Sequence, residues 1–341
     1  MKKLHMAAVG LGLAFLIALI LKVGAGRLWQ ELGVLGWGVV PLIVSEGLAN
    51  LMHTVGWRQC LAANPCRPRL TSMFGMAMAG FAINYLTPTA SMGGEVTKAG
   101  LLASQQPAAE AASSVLLDKF CTAFAHVLII LFGSALVFSR TQLSPVLRTI
   151  MVVSSIVLIG GLLGFMLIQR AGKLGSVCRG LARRGLGGRK MEAAAQRISA
   201  VDGTLQTFYR EHPLALARSV AWHLLGHLMA VVQLWLFLGL MGQPLAPVNV
   251  VCASILCLWL DLLTFAVPLN LGTMEGSRML ALGQIGYPIL QGMTFGAALR
   301  VAQLFWAFFG LATYGSLIWK PRRNTASAPS VDNPAGIPRQ L

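Results

Sequence analysis

Seven apolar stretches, each about 20 residues or longer, take up most of this chain and leave few ways to fold it. They run over residues 4–23, 34–56, 114–138, 149–168, 214–241, 248–267 and 293–319. About 20 apolar residues make a helix long enough to cross a bilayer, and inside lipid the backbone must satisfy its own hydrogen bonds. Composition agrees: 56% of residues are apolar and only 11% charged, where a soluble domain carries about a quarter. Little sequence is left for a soluble domain.

The basic residues set the orientation. Nine of the 27 Lys and Arg fall in the loop 169–213, against three acids, so that loop is expected in the cytoplasm. Lys2 and Lys3 place the N-terminus on the same side, with four crossings between, which is consistent if 72–86 enters the membrane and turns back. Lys320, Arg322 and Arg323 also read as cytoplasmic, although seven crossings would end outside. An eighth crossing by 269–290, as a broken helix lining a cavity, removes the conflict. The first stretch has the outline of a signal peptide, yet Lys22 beside the site after Val23 and a core of full spanning length favour a retained anchor. One transmembrane domain over 1–323 is expected, with a disordered polar tail over 324–341.

One pattern is written twice. PTASMGGEVTK, with Pro88, Glu95 and Lys98, returns as PLNLGTMEGSR, with Pro268, Glu275 and Arg278 at the same offsets. Glycines precede each Glu: Gly93 and Gly94 in one copy, Gly272 in the other. An acid and a base at membrane depth are expensive, and the same expense at equivalent places points to a pseudo-symmetric binding site between repeats.

Other polar residues lie in the spans. Asp261 needs an interior partner, with Arg278 and Arg300 nearest in sequence, and an ion pair or a transport role fits equally. His223 and His227 share a helix face, but without a third ligand they read as interhelical hydrogen-bonders rather than a zinc site. His53 and Glu46 share a face as well, and either line a polar path or satisfy each other. The six cysteines have no ligand or disulfide framework. No metal and no cofactor is expected. No nucleophile elbow, kinase, Walker or dinucleotide signature occurs, so no catalytic residue is assigned and an enzyme is not expected. The net charge of +16 follows from topology and attraction to anionic lipid, and the basic loop lacks the interleaved aromatics of a nucleic-acid binder.

NYLTPTASMGGEVTKAGLL over 84–102, LLDK ending at Asp118 and Lys119, and VPLNLGTMEGSRMLAL over 267–282 resemble the signature blocks of the flippase-like membrane family that includes the transmembrane region of lysylphosphatidylglycerol synthases. The resemblance covers nearly the whole chain. Where that family has an acid followed by Arg, this chain has Asp118 and Lys119, and it keeps the later Arg as Arg300. The aminoacyl-transferase domain fused to some members has no counterpart, so the resemblance implies lipid handling without lipid aminoacylation.

The expected fold is an all-α polytopic transmembrane helix bundle of about seven or eight crossings, with two pseudo-repeats carrying broken or re-entrant segments. The expected function is a lipid translocase that moves or binds a polar or anionic lipid in the inner membrane. The alternative is a non-transporting partner that presents lipid to a biosynthetic enzyme. Glu95, Lys98, Asp118, Lys119, Asp261, Glu275, Arg278 and Arg300 are the expected substrate-binding residues.

Overall fold

The computed structural model describes residues 17, 21, 25–86, 92–184, 201–264, 267 and 270–319, and regular structure among them is entirely helical. The chain runs α1 (Ala25–Leu35), α2 (Val39–Gln59), α3 (Leu70–Leu86), α4 (Met92–Leu102), α5 (Ala108–Arg140), α6 (Pro145–Arg170), α7 (Leu174–Arg183), α8 (Pro213–Leu240), α9 (Pro247–Thr264), α10 (Thr273–Ile285) and α11 (Ile289–Trp319). Pro145, Pro213 and Pro247 each open a helix, where the missing N–H costs nothing and the fixed φ suits the first turn.

Among the described residues, six segments are long and apolar enough to span: Leu28–Gln59, Ala108–Arg140, Pro145–Arg170, Pro213–Leu240, Pro247–Thr264 and Ile289–Leu317. They match six of the seven stretches read from sequence. The seventh, 4–23, lies outside the described residues apart from residues 17 and 21. The protein is a membrane protein built as a helix bundle.

The repeated motif forms two helical hairpins. In the first, the Gly94 N–H donates to the Asn84 side-chain oxygen at 2.6 Å and Gly80 sits beside Lys98, so α4 runs antiparallel to α3. In the second, Asp261 of α9 meets Ser277 and Arg278 of α10, and the Tyr287 hydroxyl donates to the Pro244 carbonyl at 2.8 Å near the start of α9. α10 thus returns alongside α9. At 1.5 Å per residue the 11 residues of α4 and 13 of α10 reach about 16 and 20 Å, short of the ~30 Å hydrocarbon layer. The expected re-entry at 72–86 and broken segment at 269–290 correspond to these hairpins. Pro88 and Pro268 lie outside the described residues.

Two antiparallel pairings tie the halves together. α11, which follows the second hairpin, packs on α3 of the first, with the Thr313 hydroxyl donating to the Gly75 carbonyl at 3.4 Å and Gly310 against the Met78 carbonyl. α2 packs on α8 through reciprocal glycines: a Cβ at Gly56 would lie 2.7 Å from His223, and one at Gly226 would lie 2.7 Å from His53. Each glycine makes room for the histidine of the other helix. α6 stands apart, with only 6% of its apolar window buried and Val153, Ile156 and Val157 facing outward as a lipid-facing helix requires.

Within the basic segment 169–213, α7 and the described residues 201–211 are helical. The Asp202 carboxylate accepts the Leu174 and Gly175 N–H groups at 3.1 and 3.0 Å, capping α7 with a negative charge at its N-terminus. Arg189, Lys190 and Arg197 lie outside the described residues, as do Lys320, Arg322, Arg323 and the tail 324–341.

Candidate functional site

Around the first motif, α4 and α5 bring four charges together. Lys98 Nζ lies 2.5 Å from Asp118 Oδ2 and 3.2 Å from Glu95 Oε2, while Lys119 Nζ lies 3.3 Å from Glu95 Oε1. The i,i+3 spacing of Glu95 and Lys98 stacks them on one face of α4. Lys98 also sits 4.7 Å from the Trp57 ring centroid, a cation on an aromatic face. Asp118 and Lys98 are nearly enclosed, whereas the Lys119 side chain is 54% exposed. Satisfaction is incomplete. Glu95 Oε2 and Asp118 Oδ1 have cations or a histidine within ion-pair range, yet neither receives a well-aligned hydrogen bond.

These side chains line a polar cavity of about 220 Å³, together with His53, Asn84 and His223. Glu95, Lys119 and Thr122 also form the end of a second space of about 780 Å³, an apolar groove between α4, α5 and α6 lined by Val96, Val115, Leu158, Leu162 and Phe165. A charged chamber therefore adjoins an oily slot at a shared wall, the proportions of a site for an amphiphile.

The second motif builds its own pairs. Arg300 of α11 grips Glu275 bidentately, Nε to Oε1 at 2.6 Å and Nη2 to Oε2 at 3.0 Å, and Glu275 is 2% exposed. Its other bonds reach the Asn270 carbonyl at 3.1 Å and the Tyr85 hydroxyl at 3.4 Å. Arg278 pairs with Asp261 and contacts the Ser277 hydroxyl at 2.7 Å. Of the two partners considered for Asp261, the structure chooses Arg278. The Arg278 Nε and Thr273 Oγ1 atoms are buried without a hydrogen-bond partner among the described residues.

The copies are alike in one respect: the motif Glu meets a base 24 residues on in the first (Lys119) and 25 on in the second (Arg300). They differ in the other. Lys98 takes its acid from the following helix, Arg278 from the preceding one. The first copy's charges line the polar cavity, and the second copy's are held in ion pairs, Glu275 with Arg300 buried and Asp261 with Arg278 partly exposed on the Asp261 side. Tyr85 of the first hairpin, through its bond to Arg300, is a direct link between the copies.

His53 and Glu46 do not satisfy each other. Glu46 accepts from Gln233 at 2.8 Å, within electrostatic reach of Arg278, while His53 Nδ1 lies 2.8 Å from His223 Nδ1. His223 and His227 make the interhelical contacts read from sequence, His227 Nε2 donating to the Thr122 carbonyl at 3.3 Å. Two participants escaped the sequence reading. Tyr85 carries no charge and stands before the motif. His126 had a signal, since Asp118, Thr122 and His126 recur every four residues along one face of α5.

A family model described as the lysylphosphatidylglycerol synthase TM region matches residues 6–311. No curated protein and no solved structure matches the chain.

Proposed function

The chain belongs to this lysylphosphatidylglycerol synthase transmembrane-region family, and from that premise we propose that it is a lipid translocase of the cell inner membrane, moving a polar or anionic lipid without chemical change. The observation that carries the reading is the shared wall of Glu95, Lys119 and Thr122 between the polar cavity and the apolar groove. A headgroup would occupy the first and an acyl chain the second.

Moving an unpaired charge to mid-bilayer costs at least about 2.5–3.5 kcal/mol, so a headgroup needs partners along its path. Lys98 and Lys119 would take a phosphate, while Glu95 and Asp118 hold those ammonium groups in place when the site is empty and accept from headgroup hydroxyls or amines. The Asp261–Arg278 and Glu275–Arg300 pairs form a second station, closed in this conformation, where the unpartnered Arg278 Nε offers a donor to an arriving anion.

The test is translocation of a fluorescent phosphatidylglycerol in reconstituted vesicles. Lys119 is exposed and its loss leaves the fold intact, so Lys119→Ala should slow movement by roughly tenfold, the worth of one hydrogen bond to a charged group. Arg278→Ala should abolish movement in protein that still folds. Full activity of both variants, with loss on neutralising Arg183, Arg184 and Arg189, would replace translocation by the scaffold that presents lipid to an enzyme.

A further inference from the structure

Four of the chain's six histidines meet inside the bundle, two of them, His53 and His223, in the lining of the polar cavity. His53 comes from α2, His126 from α5, and His223 and His227 from α8. His223 Nε2 lies 3.1 Å from Asp118 Oδ1, within ion-pair range of a carboxylate oxygen that receives no well-aligned hydrogen bond. On the other side of the ring, His223 Nδ1 faces His53 Nδ1 at 2.8 Å, where one nitrogen must donate and the other accept. Asp118, His223 and His53 thus stand in a row, the first contact an ion-pair approach and the second a hydrogen bond. Ring contacts carry it on: His53 to His227 with centroids 4.9 Å apart, and His227 to His126 at 4.6 Å.

The groups facing this row are few. α4 presents Lys98 and Glu95, α5 presents Asp118 and the Thr122 hydroxyl, and α9 presents the Leu258 carbonyl, bonded to His126 Nε2 at 3.1 Å, with Asp261 in electrostatic reach of His126. The ring nitrogens facing the Thr122 and Leu258 carbonyls are committed to hydrogen bonds, and no group of three or more side chains suited to a metal occurs among the described residues. Gly56 and Gly226 leave no room behind His223 and His53, so both rings stay in place.

Charge bookkeeping gives the row its role. The empty cavity balances two cations, Lys98 and Lys119, against two anions, Glu95 and Asp118. A phosphate entering adds one negative charge and draws Lys98 away from Asp118, which leaves a buried carboxylate against His223 alone. A buried charge without compensation is strongly unfavourable. We infer that occupation of the cavity by an anionic lipid headgroup is accompanied by uptake of a proton from water, held on the His53–His223 pair beside Asp118 and released when the headgroup leaves. This rests on the headgroup reading of the cavity and adds a second cargo to it. No bond other than N–H is made or broken, and the occupied cavity returns to balance. Since binding takes up a proton, the anionic lipid binds more tightly as pH falls, by up to about tenfold per pH unit.

The experiment titrates short-chain phosphatidylglycerol into the detergent-solubilised full-length protein in weakly buffered solution with a pH indicator, while bound lipid is counted by native mass spectrometry. The wild type should take up about one proton per phosphatidylglycerol bound, and none with short-chain phosphatidylcholine, which brings its own cation. His53→Gln and His223→Gln should bind phosphatidylglycerol more weakly, with no proton taken up per lipid bound; two variants are used because either alone risks the α2–α8 packing. Binding by the wild type without proton uptake, or unchanged uptake in both folded variants, overturns the proton role and leaves the headgroup reading standing. Failure of phosphatidylglycerol to bind overturns both.

Discussion

Arg300 holds Glu275 by two parallel bonds from a planar fork, a geometry that an ammonium cannot reproduce. Arg300→Lys keeps the charge and loses one bond, so the purified protein should lose about 1.5–3 kcal/mol of stability, read as a lower unfolding temperature in detergent. An unchanged midpoint would mean that the pair carries no structural load. Charge of this kind is also what made the site legible. Glu95, Lys98, Asp118, Lys119, Asp261, Glu275, Arg278 and Arg300 stand out in sequence because a charge is rare in an apolar stretch. Which acid takes which base was hidden, since Lys98 and Arg278 reach in opposite directions along the chain. Neutral partners such as Tyr85 and Asn84 give no such signal, and they appear only once the hairpins fold.

At the scale of the element, close approach governs what the helices tolerate. Gly56→Ala puts a methyl group 2.7 Å from His223, and the ring has His53 on its far side. The substitution should cost about 1–3 kcal/mol by overpacking and push α2 and α8 apart, measured by thermal unfolding together with the proton uptake described above. Gly75, by contrast, faces open space across from Thr313. Gly75→Ala should therefore leave the unfolding temperature in detergent unchanged or slightly raised, and a marked loss would mean that α3 and α11 approach each other more closely there. Hydrophobic length identified the long helices in the sequence, whereas α4 and α10 are too short and too polar to be recognised that way, and the return segments were inferred from the parity of crossings against the basic residues.

Over the whole molecule, α10 runs back along α9 and α11 turns again, so three passes follow the α8–α9 connection where six long helices alone would suggest two. A reporter fused after Lys320, itself outside the described residues, should accordingly behave as cytoplasmic; labelling of that position from the periplasm would remove the return pass. The apolar groove has a further consequence. One of its walls is α6, the least covered of the six spans. A ligand that reaches Glu95 and Lys119 along that wall arrives sideways from the leaflet and never passes through water. Its supply is then a matter of two-dimensional diffusion and leaflet composition. Half-saturation belongs in mole percent of lipid, and diluting the vesicles tenfold at fixed composition leaves the rate per protein as it was.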